Sequence, residues 1–243
     1  MPPFPYYSTK TIFLHDTDAV SQQNLILFFL SMLSKIIGKG GKVIIDGIVR
    51  FLSNLNINPN IITFTGVLIS FWAAFEFGYG KFFHGALVII LAGLFDMLDG
   101  RVARISGRVS KFGAFYDSVI DRYSDVILFQ GLMVYYAREQ MLGHVVLVGV
   151  VVMGAALTSY ARARAESLIS SCKVGFMERP ERIVLLIIGG LSYGLPETSY
   201  FYGRMEAVLW VLAVLGNWTV INRIHYTWLV LPRNTNTCSE NSD

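Results

Sequence analysis

Cysteine is nearly missing from this chain. Its 243 residues include only two, Cys172 and Cys238. Neither stands in a CxxC pair or at metal-ligand spacing, which argues against a disulfide scaffold and a zinc site. Charge is scarce too: Asp, Glu, Lys and Arg make up 15% of the residues, against about 25% in an ordinary soluble domain. The four histidines, His15, His84, His144 and His225, are scattered and have no partner at ligand spacing. The net charge of +3 is modest, and no nucleic-acid partner is expected. Alternating ten-residue segments of the kind that build a membrane barrel are also lacking.

The excess is apolar. Hydrophobic residues make up 53% of the chain, with a mean hydropathy of +0.51, and they fall in blocks of roughly 20 residues, the length a helix needs to cross a bilayer. Backbone groups in lipid must be satisfied internally, so these blocks read as helices. The expected fold class is all-α integral membrane: six transmembrane helices near 59–78, 82–104, 112–137, 141–164, 180–196 and 205–231, preceded by an amphipathic juxtamembrane helix. The expected organisation is an N-terminal extension over 1–31 with no assigned role, a surface helix over 32–56, a six-helix membrane domain over 57–232 and a polar tail over 233–243. Residues 33–53 mix Ile, Val, Leu and Phe with Lys, Asp and Arg, as a helix lying on a membrane surface does. The Gly38–Gly41 stretch lacks a preceding strand and Walker spacing, so it reads as an interruption of that helix rather than a phosphate loop. The sequon letters Asn217-Trp218-Thr219 lie inside the sixth span.

Basic residues set the orientation. With both termini placed in the cytoplasm, 17 of the 20 Lys and Arg residues fall on the inner side, and only Lys81, Arg138 and Arg204 fall outside. That bias satisfies the positive-inside rule, and an even number of spans agrees with it. The expected location is the cytoplasmic membrane, multi-pass, with the active site on the cytoplasmic side.

Four aspartates break the apolar pattern at the inner ends of the second and third helices. Asp96 and Asp99 are spaced i, i+3, and Asp117 and Asp121 i, i+4, so each pair shares a helical face. The linker 105–111 is short, and the two helices are expected to be antiparallel neighbours. Four carboxylates gathered at a membrane boundary repel one another and resist desolvation, which either raised pKa values or bound cations relieve. Oxygen donors at this density favour Mg²⁺, Mn²⁺ or Ca²⁺, and two such ions can clamp a diphosphate. Gly100 and Gly113 remove side chains beside the acids, which serves close helix packing or leaves room for a flat ligand. Asp125 continues the Asp117–Asp121 face and is expected to orient Arg122 or a group on the fourth helix.

The ordered string is Asp96-x-x-Asp99-Gly100-x-x-Ala103-Arg104, eight residues, then Gly113-x-x-x-Asp117-x-x-x-Asp121. At every fixed position and spacing it resembles the signature of the CDP-alcohol phosphotransferase (CDP-alcohol phosphatidyltransferase) family. The resemblance covers residues 57–231 in span number and order. It implies that Asp96, Asp99, Asp117 and Asp121 bind two divalent cations, Mg²⁺ or Mn²⁺, with Asp117 between them. It implies that Asp121 is also the base that deprotonates the acceptor hydroxyl. Gly100, Arg104 and Ser110 would contact the CDP moiety, as would the Pro59-Asn60-Ile61-Ile62 turn, which otherwise reads as a plain helix start. The donor lipid would be CDP-diacylglycerol or CDP-archaeol, and relatives form homodimers.

The acceptor is read further along. Ser159-Tyr160-Ala161-Arg162-Ala163-Arg164 closes the fourth helix and Glu178-Arg179-Pro180-Glu181-Arg182 opens the fifth. Arginines at a membrane edge commonly anchor to anionic headgroups; an acceptor that already bears a phosphate also calls for them. This pair of motifs resembles the inositol-phosphate-using branch of the family, the phosphatidylinositol phosphate and archaetidylinositol phosphate synthases. That likeness implies an acceptor pocket for inositol 1-phosphate lined by Ser159, Arg162, Arg164, Arg179, Arg182 and Arg223. Glycerol 3-phosphate ranks second as acceptor and serine third. A transporter is the rival of another class, but the acids sit at helix ends rather than across the bilayer, and no inverted repeat is found. A membrane anchor without catalysis would leave the acids unexplained.

Overall fold

A computed structural model describes Gly47, Val49 and residues 59–231 except 108–109, 196 and 198–202. The expected extension over 1–31, the tail over 233–243 and, apart from Gly47 and Val49, the surface helix over 32–56 lie outside the described residues.

The described chain is helical, with α1 at Pro59–Gly78, α2 at Phe82–Ile105, α3 at Lys111–Arg138, α4 at Leu142–Glu166, α5 at Arg179–Leu191 and α6 at Met205–Val230. Four of these, α1, α2, α4 and α6, are long and apolar enough to cross a membrane. The third is long enough but too polar, since it carries Asp117, Asp121, Arg122 and Asp125 within its length. The fifth has 13 residues, a rise of about 20 Å at 1.5 Å per residue. A span over 180–196 was expected there. Instead α5 stops at Leu191 and a 3₁₀ turn, Ser192–Gly194, follows. Ser192 secures this ending by donating from Oγ to the carbonyl of Gly189 (2.6 Å) and accepting the backbone N–H of Arg204 (3.0 Å).

Packing departs from the expected pairing of α2 with α3. Both lean along α1 and hardly touch one another, while α4 packs along α6 and α5 bridges α2 and α6. The approaches are close because small residues stand at the crossings. At Gly131 of α3 an added Cβ would lie 2.2 Å from the carbonyl oxygen of Ala74 on α1, and at Gly190 of α5 one would lie 2.7 Å from that of Phe82 on α2. Lipid supplies no hydrophobic drive between helices, so such van der Waals contact and interhelical hydrogen bonds hold the bundle together. Phe77, Phe82, Phe129, Leu132, Leu186, Met205 and Leu209 fill its centre.

The connection 167–178 between α4 and α5 is pinned to α6. The backbone N–H of Met177 donates to Thr219 Oγ1 (3.0 Å), and Arg223 Nε donates to the carbonyl of Val174 (2.8 Å). Gly175 sits at φ +113°, where a Cβ would lie 2.3 Å from Thr219 Cγ2. This fixes the entry of α5, and so places the first turn of that helix among the ends of α2, α3, α4 and α6.

Candidate active site

One end of the bundle collects the start of α1, the end of α2, the start of α3, the end of α4, the start of α5 and the end of α6. Ser110 caps α3, its Oγ accepting the N–H of Gly113 at 2.9 Å. Capping directs the first turns of α3 so that Asp117 comes to the carboxylates of α2. Asp96, Asp99 and Asp117 each offer an oxygen, and these atoms lie within 4.8 Å of one another. Asp99 is buried and accepts a 2.5 Å hydrogen bond from Thr63 Oγ1 on α1. A donor set made wholly of carboxylate oxygens, one of them oriented by a neighbouring hydroxyl, fits a hard divalent cation.

Asp121 stands beside this trio and is joined to α5. Arg179 Nη1 lies 2.8 Å from Asp121 Oδ1 and 3.2 Å from Asp96 Oδ2, and its Nε lies 3.5 Å from Asp125 Oδ1. Arg182, 3% exposed, donates from Nη2 to Asp125 Oδ2 at 2.6 Å. The expectation that Asp125 orients Arg122 or a residue of the fourth helix is therefore corrected. Its partners belong to α5, and Arg122 instead donates to the carbonyl of Ser118 on its own helix. Arg122 is exposed, one residue past Asp121 and so turned away from the acidic face.

Of the residues expected on the CDP side, Asn60, Ser110 and Gly113 come together: a Cβ at Gly113 would stand 3.1 Å from Ser110 Oγ and 3.8 Å from Asn60 Oδ1. Gly100 is exposed, and a Cβ there would meet nothing within 4 Å. Arg104, also exposed, donates from Nε to the carbonyl of Gly100 at 3.0 Å. Ile61 and Ile62 face different ways, one 59% exposed and the other 6%. Pro59 opens α1.

The residues expected at the acceptor divide into two groups. Arg179 and Arg182 join the carboxylates of α2 and α3, as just described. Arg162 and Arg223 meet at Glu178, whose Oε1 accepts from Arg162 Nη1 (3.0 Å) and Arg223 Nη2 (2.8 Å). Arg223 is 2% exposed and also donates to the carbonyls of Thr158 (2.6 Å) and Val174 (2.8 Å). All three of its guanidinium nitrogens are thus engaged within the protein, and it braces the connection. Arg164 is exposed, with Ser167 Oγ 3.4 Å from its Nη1, and Ser159 is half-buried one turn before Arg162. The sequence reading missed Thr63, whose only signal is a hydroxyl one turn into an apolar span. It also missed Glu178, which is visible only as an acid before an Arg-Pro helix start.

A family model described as CDP-alcohol phosphatidyltransferase matches residues 56–220. The chain belongs to this family. It is 39% identical over 167 residues to archaetidylinositol phosphate synthase of Methanothermobacter thermautotrophicus, covering 69% of this chain and 81% of that one. It is 34% identical over 185 residues to phosphatidylinositol phosphate synthase of Mycobacterium tuberculosis, covering 74% and 84%. The solved structure of the Mycobacterium tuberculosis phosphatidylinositol phosphate synthase with CDP-DAG bound superposes with a TM-score of 0.71 at 32% identity, covering 81% of this chain and 99% of that one. The same enzyme in complex with manganese and citrate gives a TM-score of 0.69 at 33% identity, covering 79% and 92%. Like other members of a membrane-enzyme family, the chain is a membrane protein, and its four apolar helices accord with that.

Proposed function

We propose that this chain transfers a phosphatidyl-type group, a diacyl or dialkyl glycerol phosphate, from a CDP-linked lipid to myo-inositol 1-phosphate and releases CMP. The observation that carries this reading is the first turn of α5, where Arg179 reaches Asp96 and Asp121 while the adjacent Glu178 reaches Arg162 and Arg223. A set of carboxylates suited to cations and a set of arginines suited to a phosphate thereby adjoin at one end of the bundle. The relatives named for inositol phosphate synthesis support the choice of acceptor, and the neighbour with CDP-DAG bound supports the donor.

Asp96, Asp99, Asp117 and Asp121 would hold two divalent cations, Mg²⁺ or Mn²⁺, which supply charge neutralisation for a diphosphate when bound. Asn60, Gly100, Arg104 and Ser110, with Pro59, Ile61 and Ile62 around the start of α1, would receive the CDP moiety. Ser159, Arg162, Arg164, Arg179 and Arg182 would face the acceptor phosphate, and Arg223 supports them from below. Asp121 takes the proton of the acceptor hydroxyl. That oxygen bonds to the lipid-side phosphorus, the bond from phosphorus to the oxygen of CMP breaks, and the electron pair leaves with CMP. Arg179, already beside Asp121, sets the distance between the acceptor phosphate and the base.

The same proposal includes six spans after a surface helix over 32–56, the fifth made by α5 together with the Ser192–Gly194 turn, with both termini and the site on the cytoplasmic side. It places α3 across the bilayer because its acids turn to partners inside the bundle, and it makes the enzyme a homodimer. The test is acceptor-dependent release of CMP from purified protein with Mn²⁺ and a CDP-lipid. Inositol 1-phosphate should support release. Release with glycerol 3-phosphate or serine alone overturns the acceptor and spares the reaction class; release with none of the three overturns the class.

A further inference from the structure

Arg162 is held at two points. Its Nε lies 3.1 Å from Glu166 Oε1 and its Nη1 lies 3.0 Å from Glu178 Oε1. A planar guanidinium fixed by two different nitrogens cannot swivel about its own axis, and this is the preorganisation that makes arginine effective toward phosphate. The two holders differ in kind. Glu166 sits one helical turn along α4, with 39% of its side chain exposed, so it moves with the end of its own helix. Glu178 belongs to the first turn of α5. The oxygen that receives Arg162 also receives Arg223 Nη2 at 2.8 Å, and Arg223 is in turn fixed to the carbonyls of Thr158 and Val174. The backbone N–H of Glu178 donates to Glu181 Oε2 at 3.1 Å. The position of the Glu178 carboxylate is therefore inherited from the buried frame of α4, the connection and α6.

We infer that Glu178 is a positioning residue for the phosphate of the acceptor, acting through Arg162. This rests on the acceptor reading given above. The rival effect has the opposite sign. A carboxylate beside a phosphate site repels the phosphate, so charge alone would make removal of the Glu178 charge tighten binding. With 35% of the Glu178 side chain exposed, solvent and salt reduce that repulsion to a small factor. Loss of a hydrogen bond to a charged group weakens binding by about ten- to a hundredfold, so the positioning effect governs.

The experiment is steady-state kinetics of Glu178→Gln in both substrates, beside Arg162→Gln and the double variant. Glutamine keeps an oxygen for both arginines but loses the charge that holds them firmly. The KM for inositol 1-phosphate should rise about tenfold or more while kcat and the KM for the CDP-lipid stay near those of the parent. In the Arg162→Gln background, Glu178→Gln should add nothing. An unchanged or lowered acceptor KM overturns the inference, as does an equal rise for both substrates or full additivity with Arg162→Gln. If Glu178→Gln does not survive extraction, Glu178→Asp keeps the charge but shortens its reach to Arg162, and an unchanged or lowered acceptor KM in that variant overturns the inference equally. Should the parent enzyme use glycerol 3-phosphate instead, the acceptor reading fails, and the same comparison made with that phosphate still decides the role of Glu178.

Discussion

Replacing Asp125 by Asn isolates what holds α5 against α3. Asp125 and Arg182 are both nearly inaccessible, their side chains 5% and 4% exposed, and they approach to 2.6 Å. Arg179 Nε adds a second contact to the same carboxylate at 3.5 Å. Removing one member of a buried pair leaves the other charged without a partner, at a cost of about 3–5 kcal/mol. Nε and Nη1 of Arg182 have no hydrogen-bond partner among the described residues, so Arg182 has little to fall back on and the upper part of that range applies. Replacing both partners by apolar residues of similar volume, Asp125→Leu with Arg182→Met, removes the stranded charge and should recover most of the loss. The assay is thermal unfolding of the purified protein in a fixed detergent, followed by intrinsic fluorescence, for the parent, both single variants and the double variant. The single variants should unfold well below the parent and the double variant close to it. Single variants that unfold with the parent, or a double variant that loses the sum of both, refute the reasoning, since either result means the pair is not desolvated as described.

Thr63→Val keeps the shape of the side chain while removing the 2.5 Å hydrogen bond to Asp99; Mn²⁺ affinity, read by electron paramagnetic resonance titration, should fall by about ten- to a hundredfold. Asp121→Asn should abolish CMP release while leaving binding of the CDP-lipid largely intact, which a binding titration alongside the turnover assay reads out. Gly131→Ala forces a methyl toward backbone 2.2 Å away on α1, so α1 and α3 must separate; the cost of overpacking, about 1–3 kcal/mol, should appear as a lower unfolding temperature, with Gly143→Ala, where nothing lies within 4 Å, as the neutral comparison.

The acidic end of the molecule was legible because its information is local. The i, i+3 and i, i+4 spacings of Asp96, Asp99, Asp117 and Asp121 put each pair on one face whatever the helices do elsewhere, and three of the four carboxylates do converge. The helices themselves were legible from blocks of apolar residues, with boundaries displaced by only a residue or two in most cases. The end of α5 was not, because Gly189, Gly190 and Gly194 prolong an apolar run whether or not the helix continues through it. Nor could the sequence reveal that α2 and α3 meet by way of α1. A short linker constrains the ends of two helices, and the small residues that decide which flanks touch, such as Ala74 and Gly131, lie 57 positions apart. The arginines were found as one group and not divided, since Arg162, Arg179 and Arg182 look alike in sequence. Partners 16, 83 and 57 residues away separate them.

The connection 167–178 carries a consequence for how chains of this kind can change in length. Glu178 and Arg179 are neighbours of opposite charge that face different partners, and the pinning of Val174 and Met177 to α6 sets which of them faces which. One residue inserted or deleted between Met177 and Pro180 would turn the start of α5 by about 100° and break both sets of pairings. The links at the far end, Tyr79–Lys81 and Glu139–Met141, join helices without setting any such pairing of the site. A change of length there leaves the charge pairing of the site in place, and in the last residues before α5 it does not.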